Sequence, residues 1–140
     1  GRSRLRELAA ESDDIKPPEL DDAERARLLH YVERFNARDF DSLRDLLAED
    51  VCLEMVNRTR RAGRRDVSEY FSRYEETAVW HFVPGFVDRH PAIIAFDPQD
   101  PSGPPRYFVL LDWKNGSIVS IRDFLFATYA IEGAELFTLD

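Results

Sequence analysis

The chain has 140 residues, 19 Lys and Arg against 27 Asp and Glu, and a net charge of −8, which suits one acidic domain and repels a nucleic-acid backbone unless the basic groups are segregated. A domain of this size buries roughly two-thirds of its unfolded surface and needs no staples. No apolar run nears the ~18 residues of a membrane span, and the opening GRSRLREL lacks the apolar core of a signal peptide, so a cytoplasmic protein with no membrane contact is expected.

Residues 1 to 20 read as a short basic helix end, RSRLREL, and a linker, ESDDIKPPEL, in which Pro17 and Pro18 stop any helix. The domain proper is placed at 21–140. Asp21 or Asp22 caps a first helix, with Leu28, Leu29, Val32 and Phe35 on its apolar face. A break at 36 to 39 leads to a second, short helix, capped by Asp41 or Ser42, with Leu43, Leu46 and Leu47 facing inward. VCLEMV at 51 to 56 then alternates like a strand, with Val51, Leu53 and Met55 set against Cys52, Glu54 and Val56. Glu54 should look outward. Cys52, the only cysteine, excludes an intrachain disulfide and is expected as a buried thiol.

Residues 57 to 63 form a turn or short hairpin, and 66 to 75 return to helix with Val67, Tyr70, Phe71 and Tyr74 on one stripe. Four apolar runs follow: AVWHFVPGFV, PAIIAF, RYFVLLDW and SIVSIRDFLFATY. DRHP, DPQDPSGPP and KNG separate them as turns, and Pro84 with Gly85 predicts a bulge or bend in the first run. This order predicts an α+β fold: a strongly curved, mostly antiparallel sheet wrapped around three helices, tapering to a cone with a pocket at its open end.

YVERFNARDFDSLRDLLAEDVCLEM, RRAGRRDVSEYF and DWKNGSIVSIRDF resemble the SnoaL-like branch of the NTF2-like superfamily across roughly residues 22 to 128. More narrowly, Val83-Pro84, Pro91-Ala92, the NG hairpin with IVSIRDF and the closing LFTLD resemble the SnoaL-like domain appended to extracytoplasmic-function sigma factors. The opening R-x-R-L-R pattern is similar to the last turns of sigma region 4. That family's glycine-containing turn before PA is here Asp88, Arg89 and His90. The narrower resemblance implies a non-enzymatic regulatory C-terminal domain. Its partners would be the sigma core and RNA polymerase, with a small apolar ligand in the cone and no direct DNA binding by this chain.

Ketosteroid isomerase, on the same fold, implies a tyrosine on the first helix and two carboxylates on strands. Tyr31 matches the tyrosine, whereas the acid positions fall on Met55 and Val109. The register that turns Met55 and Val109 inward also turns Asp123 inward, on a last strand with Val119, Ile121, Asp123 and Leu125 on one face. Asp123 is thus the sole acid–base candidate, in a SnoaL-like isomerase or cyclase acting on a small apolar ketone. The alternative ties it to Tyr31, Arg122 or a backbone amide. Tyr31, Met55, Trp80, Tyr107, Val109 and Asp123 are the candidate pocket residues; Phe82 and Trp113 join them as cone or core aromatics.

Arg58, Arg60, Arg61, Arg64 and Arg65 crowd one turn and helix start, either as a grip for an acidic partner or phosphate, or as a solvated loop paired with nearby acids. No aromatics interleave with them as base-stacking would need. His30, His81 and His90 show no metal-ligand spacing, and no cofactor is expected. A homodimer through an exposed apolar patch at Phe124 and Phe126 is the remaining reading.

Overall fold

The computed structural model describes residues 16, 18–77 and 79–139. The helix end and most of the linker expected at 1 to 20 lie outside the described residues. Helix α1 (Asp22–Asn36) starts at Asp21, whose side chain accepts from the Glu24 amide at 2.8 Å while Glu24 accepts from the Asp21 amide at 3.2 Å, a reciprocal capping box. It buries Leu28, Tyr31, Val32 and Phe35, whereas Leu29 sits beside that stripe and is exposed. Helix α2 (Phe40–Arg44) is capped by Asp39 rather than Asp41 or Ser42, because Asp39 accepts from both the amide and the hydroxyl of Ser42. Strand β1 (Leu47–Met55), strand β2 (Thr59–Ala62) and helix α3 (Arg64–Glu76) follow. Strands β3 (His81–Val87), β4 (His90–Phe96), β5 (Tyr107–Lys114) and β6 (Ser117–Asp123), a short 3-10 turn (Thr128–Ile131) and strand β7 (Leu136–Thr138) complete the chain.

The strands form one open sheet in the order β2-β1-β6-β5-β4-β3-β7, antiparallel except where β1 runs parallel to β6. Three helices on one face of this mixed sheet give the α+β cone. Two-residue hairpins at Asp88-Arg89 and Asn115-Gly116, all four with positive φ, match the twist of the strands they join. Tyr107, Val109 and Leu111 face the helices, while Phe108 faces the other side. There it joins Val87, Ala92, Ile94 and Phe124 in a second cluster under the C-terminal segment. Phe124 is therefore core and supplies no surface patch.

Three local expectations are corrected. Cys52 is exposed, because it alternates with buried Val51 and Leu53 on a stretch of sheet whose outer face is uncovered. Pro84 and Gly85 make no bulge: β3 pairs with β4 in unbroken register from His81 to Val87. Pro84 is tolerated because its carbonyl accepts from Leu139 at 2.8 Å, so its missing N–H lies on the β7 side, at the end of that short pairing, and the β3–β4 ladder loses no donor. Register shifts occur instead where β6 meets β5 and where β1 meets β6, between Leu47 and Cys52. Ser120 pairs with Asp112 and Ile118 with Trp113, which leaves Val119 extra and turns both Ile118 and Ile121 inward. β6 ends at Asp123, before the FLFATY run that the sequence pattern extends as strand.

Two polar contacts seat the helices. The Asn36 amide donates to the Phe82 carbonyl at 2.8 Å and accepts from the Phe82 amide at 2.9 Å, pinning the end of α1 to β3. Arg38, at φ 61°, donates to the carbonyls of Tyr74 and Glu75 and closes the C-terminus of α3.

Candidate functional site

Asp123 is fully buried and is the one buried charged residue among those described. Its place follows from register. Met55 pairs with Asp123 across β1 and β6, and Val109 pairs with Asp123 across β6 and β5, so the three stand abreast on adjacent strands. The acid thus lies between the two positions where the resemblance to ketosteroid isomerase implies carboxylates.

The partners of Asp123 come from α3 and from its own turn. The hydroxyls of Tyr70 and Tyr74 each donate to Oδ2 at 2.7 Å, and the Leu125 amide donates to Oδ1 at 2.8 Å. Tyr74 also lies 2.6 Å from the Tyr107 hydroxyl. A tyrosine has a single hydroxyl proton, and Tyr74 places its own on Asp123. Tyr107 must therefore donate to Tyr74, giving a relay that runs Tyr107 to Tyr74 to Asp123. The Tyr31 hydroxyl is buried without a hydrogen-bond partner, close enough to feel the Asp123 charge.

Burial pushes the Asp123 carboxyl above its ordinary range, against the opposing pull of its bonds from Tyr74, Tyr70 and Leu125. Burial first, and then the Asp123 charge, raises all four tyrosines well above their usual value. They act as neutral hydroxyls.

Beside this cluster a cavity of about 590 Å³ opens between α3 and the β1–β2 hairpin. Its apolar walls are Leu53, Met55, Leu125 and Phe126; Tyr70 and Tyr74 form its floor. Of the six pocket residues expected from sequence, Met55 alone lines this cavity. Tyr107 and Asp123 lie behind its tyrosine floor, and Val109 and Tyr31 lie in the core beside them. Trp80 packs edge-on to Tyr107 at 5.2 Å. Phe82 is buried in the main core, and Trp113 packs partly buried against it, edge-on to Tyr31. Tyr70 and Tyr74 are the residues that sequence reasoning read only as part of an apolar stripe. Their i, i+4 spacing carried the signal: two hydroxyls one turn apart on a buried face each need a partner, and a single buried carboxylate can serve both.

The five arginines separate. Arg58 and Arg61 line the cavity mouth, Arg60 shares Glu54 with Arg122, and Arg64 reaches Asp45 at 3.8 Å. Arg65 is exposed on the first turn of α3. Among the described residues no group of three His, Cys, Asp or Glu could hold a metal ion. His30 and His81 are exposed, and His90 faces Asp112 at 3.2 Å. No described helix is long and apolar enough to cross a membrane.

The fold has many solved relatives. An NTF2-like protein of Mesorhizobium loti is 18% identical, covers 87% of this chain and 99% of its own, and superposes with a TM-score of 0.53. Bal32a, from a soil-derived mobile gene cassette, is 19% identical over 76% of this chain and 91% of its own, with a TM-score of 0.54. A candidate ketosteroid isomerase of Kribbella flavida is 20% identical over 71% of this chain and 74% of its own, with a TM-score of 0.52. At such identities the likeness speaks for the fold. No curated protein matches the chain. The model of the SnoaL-like domain matches residues 28–121, more than half of the sequence, and the chain belongs to the SnoaL-like domain family.

Proposed function

We propose that this chain is a ligand-binding SnoaL-like domain that takes a small apolar molecule into the cavity between α3 and the β1–β2 hairpin. One observation carries the reading. The cavity of about 590 Å³ has Leu53, Met55, Leu125 and Phe126 as apolar walls, and its two floor hydroxyls are already committed to Asp123, so beneath its charged rim the site offers shape and apolar surface rather than an accessible buried acid. An uncharged ketone, 2-acetylnaphthalene, should raise the melting temperature by several degrees at saturation, and Met55→Trp, which fills the cavity, should abolish the rise while Met55→Leu keeps it. No rise in the wild type, or an equal rise in Met55→Trp, overturns the reading.

A second reading is acid–base chemistry on a ketone, as the name of the Kribbella relative suggests for that protein. It is favoured by Asp123 standing between Met55 and Val109, with Tyr31 holding an unspent hydroxyl beside it. Asp123 would act as base once Tyr70 and Tyr74 swing aside. Ketone turnover that survives Asp123→Asn removes this reading.

The finer assignment, a regulatory C-terminal domain of a sigma factor, is supported by the resemblance of the opening R-x-R-L-R pattern, IVSIRDF and the closing LFTLD. The cavity would then make contact with the sigma core or RNA polymerase ligand-dependent. Co-purification of RNA polymerase with the tagged chain tests it; a folded chain that retains none counts against it.

A further inference from the structure

We propose that the ligand of this cavity carries a carboxylate head and that Arg58 is the residue that holds it. The inference rests on the ligand-binding reading above and adds the chemistry of the ligand.

Arg58 follows β1 in a turn closed by its own amide, which donates to the Met55 carbonyl at 2.8 Å. Its neighbour Asn57, at φ 71°, ties the turn to the far segment by donating from Nδ2 to the Tyr129 hydroxyl at 3.1 Å. The Arg58 guanidinium stacks 4.2 Å over the ring of Phe126, and both residues line the cavity mouth. A cation–π contact of this kind restrains the side chain without consuming its N–H hydrogen bonds. It leaves the in-plane N–H donors open, in the fork geometry that matches a carboxylate.

Those donors are unclaimed. Neither Arg58 nor Arg61, the two arginines that the hairpin contributes to the mouth, has a carboxylate within ion-pair distance among the described residues. Arg60 and Arg122, which point elsewhere, are matched to Glu54, and Arg64 to Asp45. The mouth also holds Asp66, Glu69 and Glu76, and all three belong to α3 together with Arg73. One wall is therefore net negative and the other purely positive. An anionic head is repelled by the helix and drawn to the hairpin, with Leu53, Met55 and Leu125 left to receive the apolar body.

The test compares 2-naphthoate with 2-naphthamide, which keeps the shape and removes the charge, by calorimetric titration of the full chain at low salt. The carboxylate should bind about tenfold more tightly than the amide, the worth of one charge-assisted bidentate contact. Arg58→Gln should reduce that ratio to about one. Glu69→Gln should strengthen naphthoate alone. If both compounds bind equally, or if the preference survives Arg58→Gln, the carboxylate inference is overturned and the cavity reading stands. If neither binds, both fall.

Discussion

Tyr31 and Tyr74 are both buried beside the same carboxylate, yet their hydroxyls are spent differently. Tyr74 donates to Asp123 and accepts from Tyr107, so Tyr74→Phe strips a donor from a buried carboxylate and an acceptor from a buried hydroxyl. Asp123 keeps Tyr70 and Leu125, but the Tyr107 hydroxyl is left without its partner, at a cost of about 1–3 kcal/mol. The Tyr31 hydroxyl has no hydrogen-bond partner to lose, so Tyr31→Phe removes an unmet polar group and should leave stability unchanged or slightly higher. Urea denaturation of the two variants gives the comparison; a Tyr31→Phe loss as large as that of Tyr74→Phe would mean that the Tyr31 hydroxyl is engaged after all.

At the scale of elements, the edge strand β7 depends on a missing side chain. Gly85 pairs with Thr138, and a Cβ at Gly85 would overlap the carbonyl oxygen of Phe137 and press on Ile94. Gly85→Ala should therefore push β7 off the sheet, at about 1–3 kcal/mol as for overpacking elsewhere, with loss of amide protection in hydrogen exchange at Asp88 and Leu139, which donate to the Glu135 and Pro84 carbonyls across this pairing. Unchanged protection there would refute it. Gly85 also shows where local pattern stops being informative. A Pro-Gly pair inside an apolar run carries the same signal for a bulge as for close backbone approach, and only the arrival of β7 from some fifty residues onward separates them. Helices α1 and α3 were legible because their stripes are long and strongly capped or strongly periodic. Short β7 was not, since three residues in AELFTLD have no period to read. The inward aim of Asp123 could be reasoned from register because the β6 bulge lies before Ile121 and leaves the phase of the last residues intact. Its partners could not, because Tyr70 and Tyr74 reach it from an element 49 and more residues away.

For the whole molecule, the buried carboxyl sets a pH slope on stability. The folded state holds the Asp123 proton to higher pH than the unfolded chain does, so within that window the unfolded state binds fewer protons. Stability is unaffected below the ordinary carboxylate value of about 4 and falls as pH rises through the raised folded value. Asp123→Asn keeps a neutral group in place and removes the slope. The unfolding free energy of wild type minus that of Asp123→Asn should thus decline from about pH 4 upward and then level off, as read by denaturant titrations at several pH values. A flat difference would show that the bonds from Tyr70, Tyr74 and Leu125 fully offset the burial.

The rank formed by Met55, Asp123 and Val109 has a consequence for how such a domain can be rewritten. Neighbouring strands are about 4.8 Å apart, so an acid exchanged sideways from Asp123 to Met55 travels one strand spacing and passes from a sealed interior to the wall of the cavity. Helices, loops and topology need not alter. A binder and a proton-transfer catalyst built on this frame would then differ by a lateral transposition of one carboxyl group, a short evolutionary step and an equally short one for an engineer.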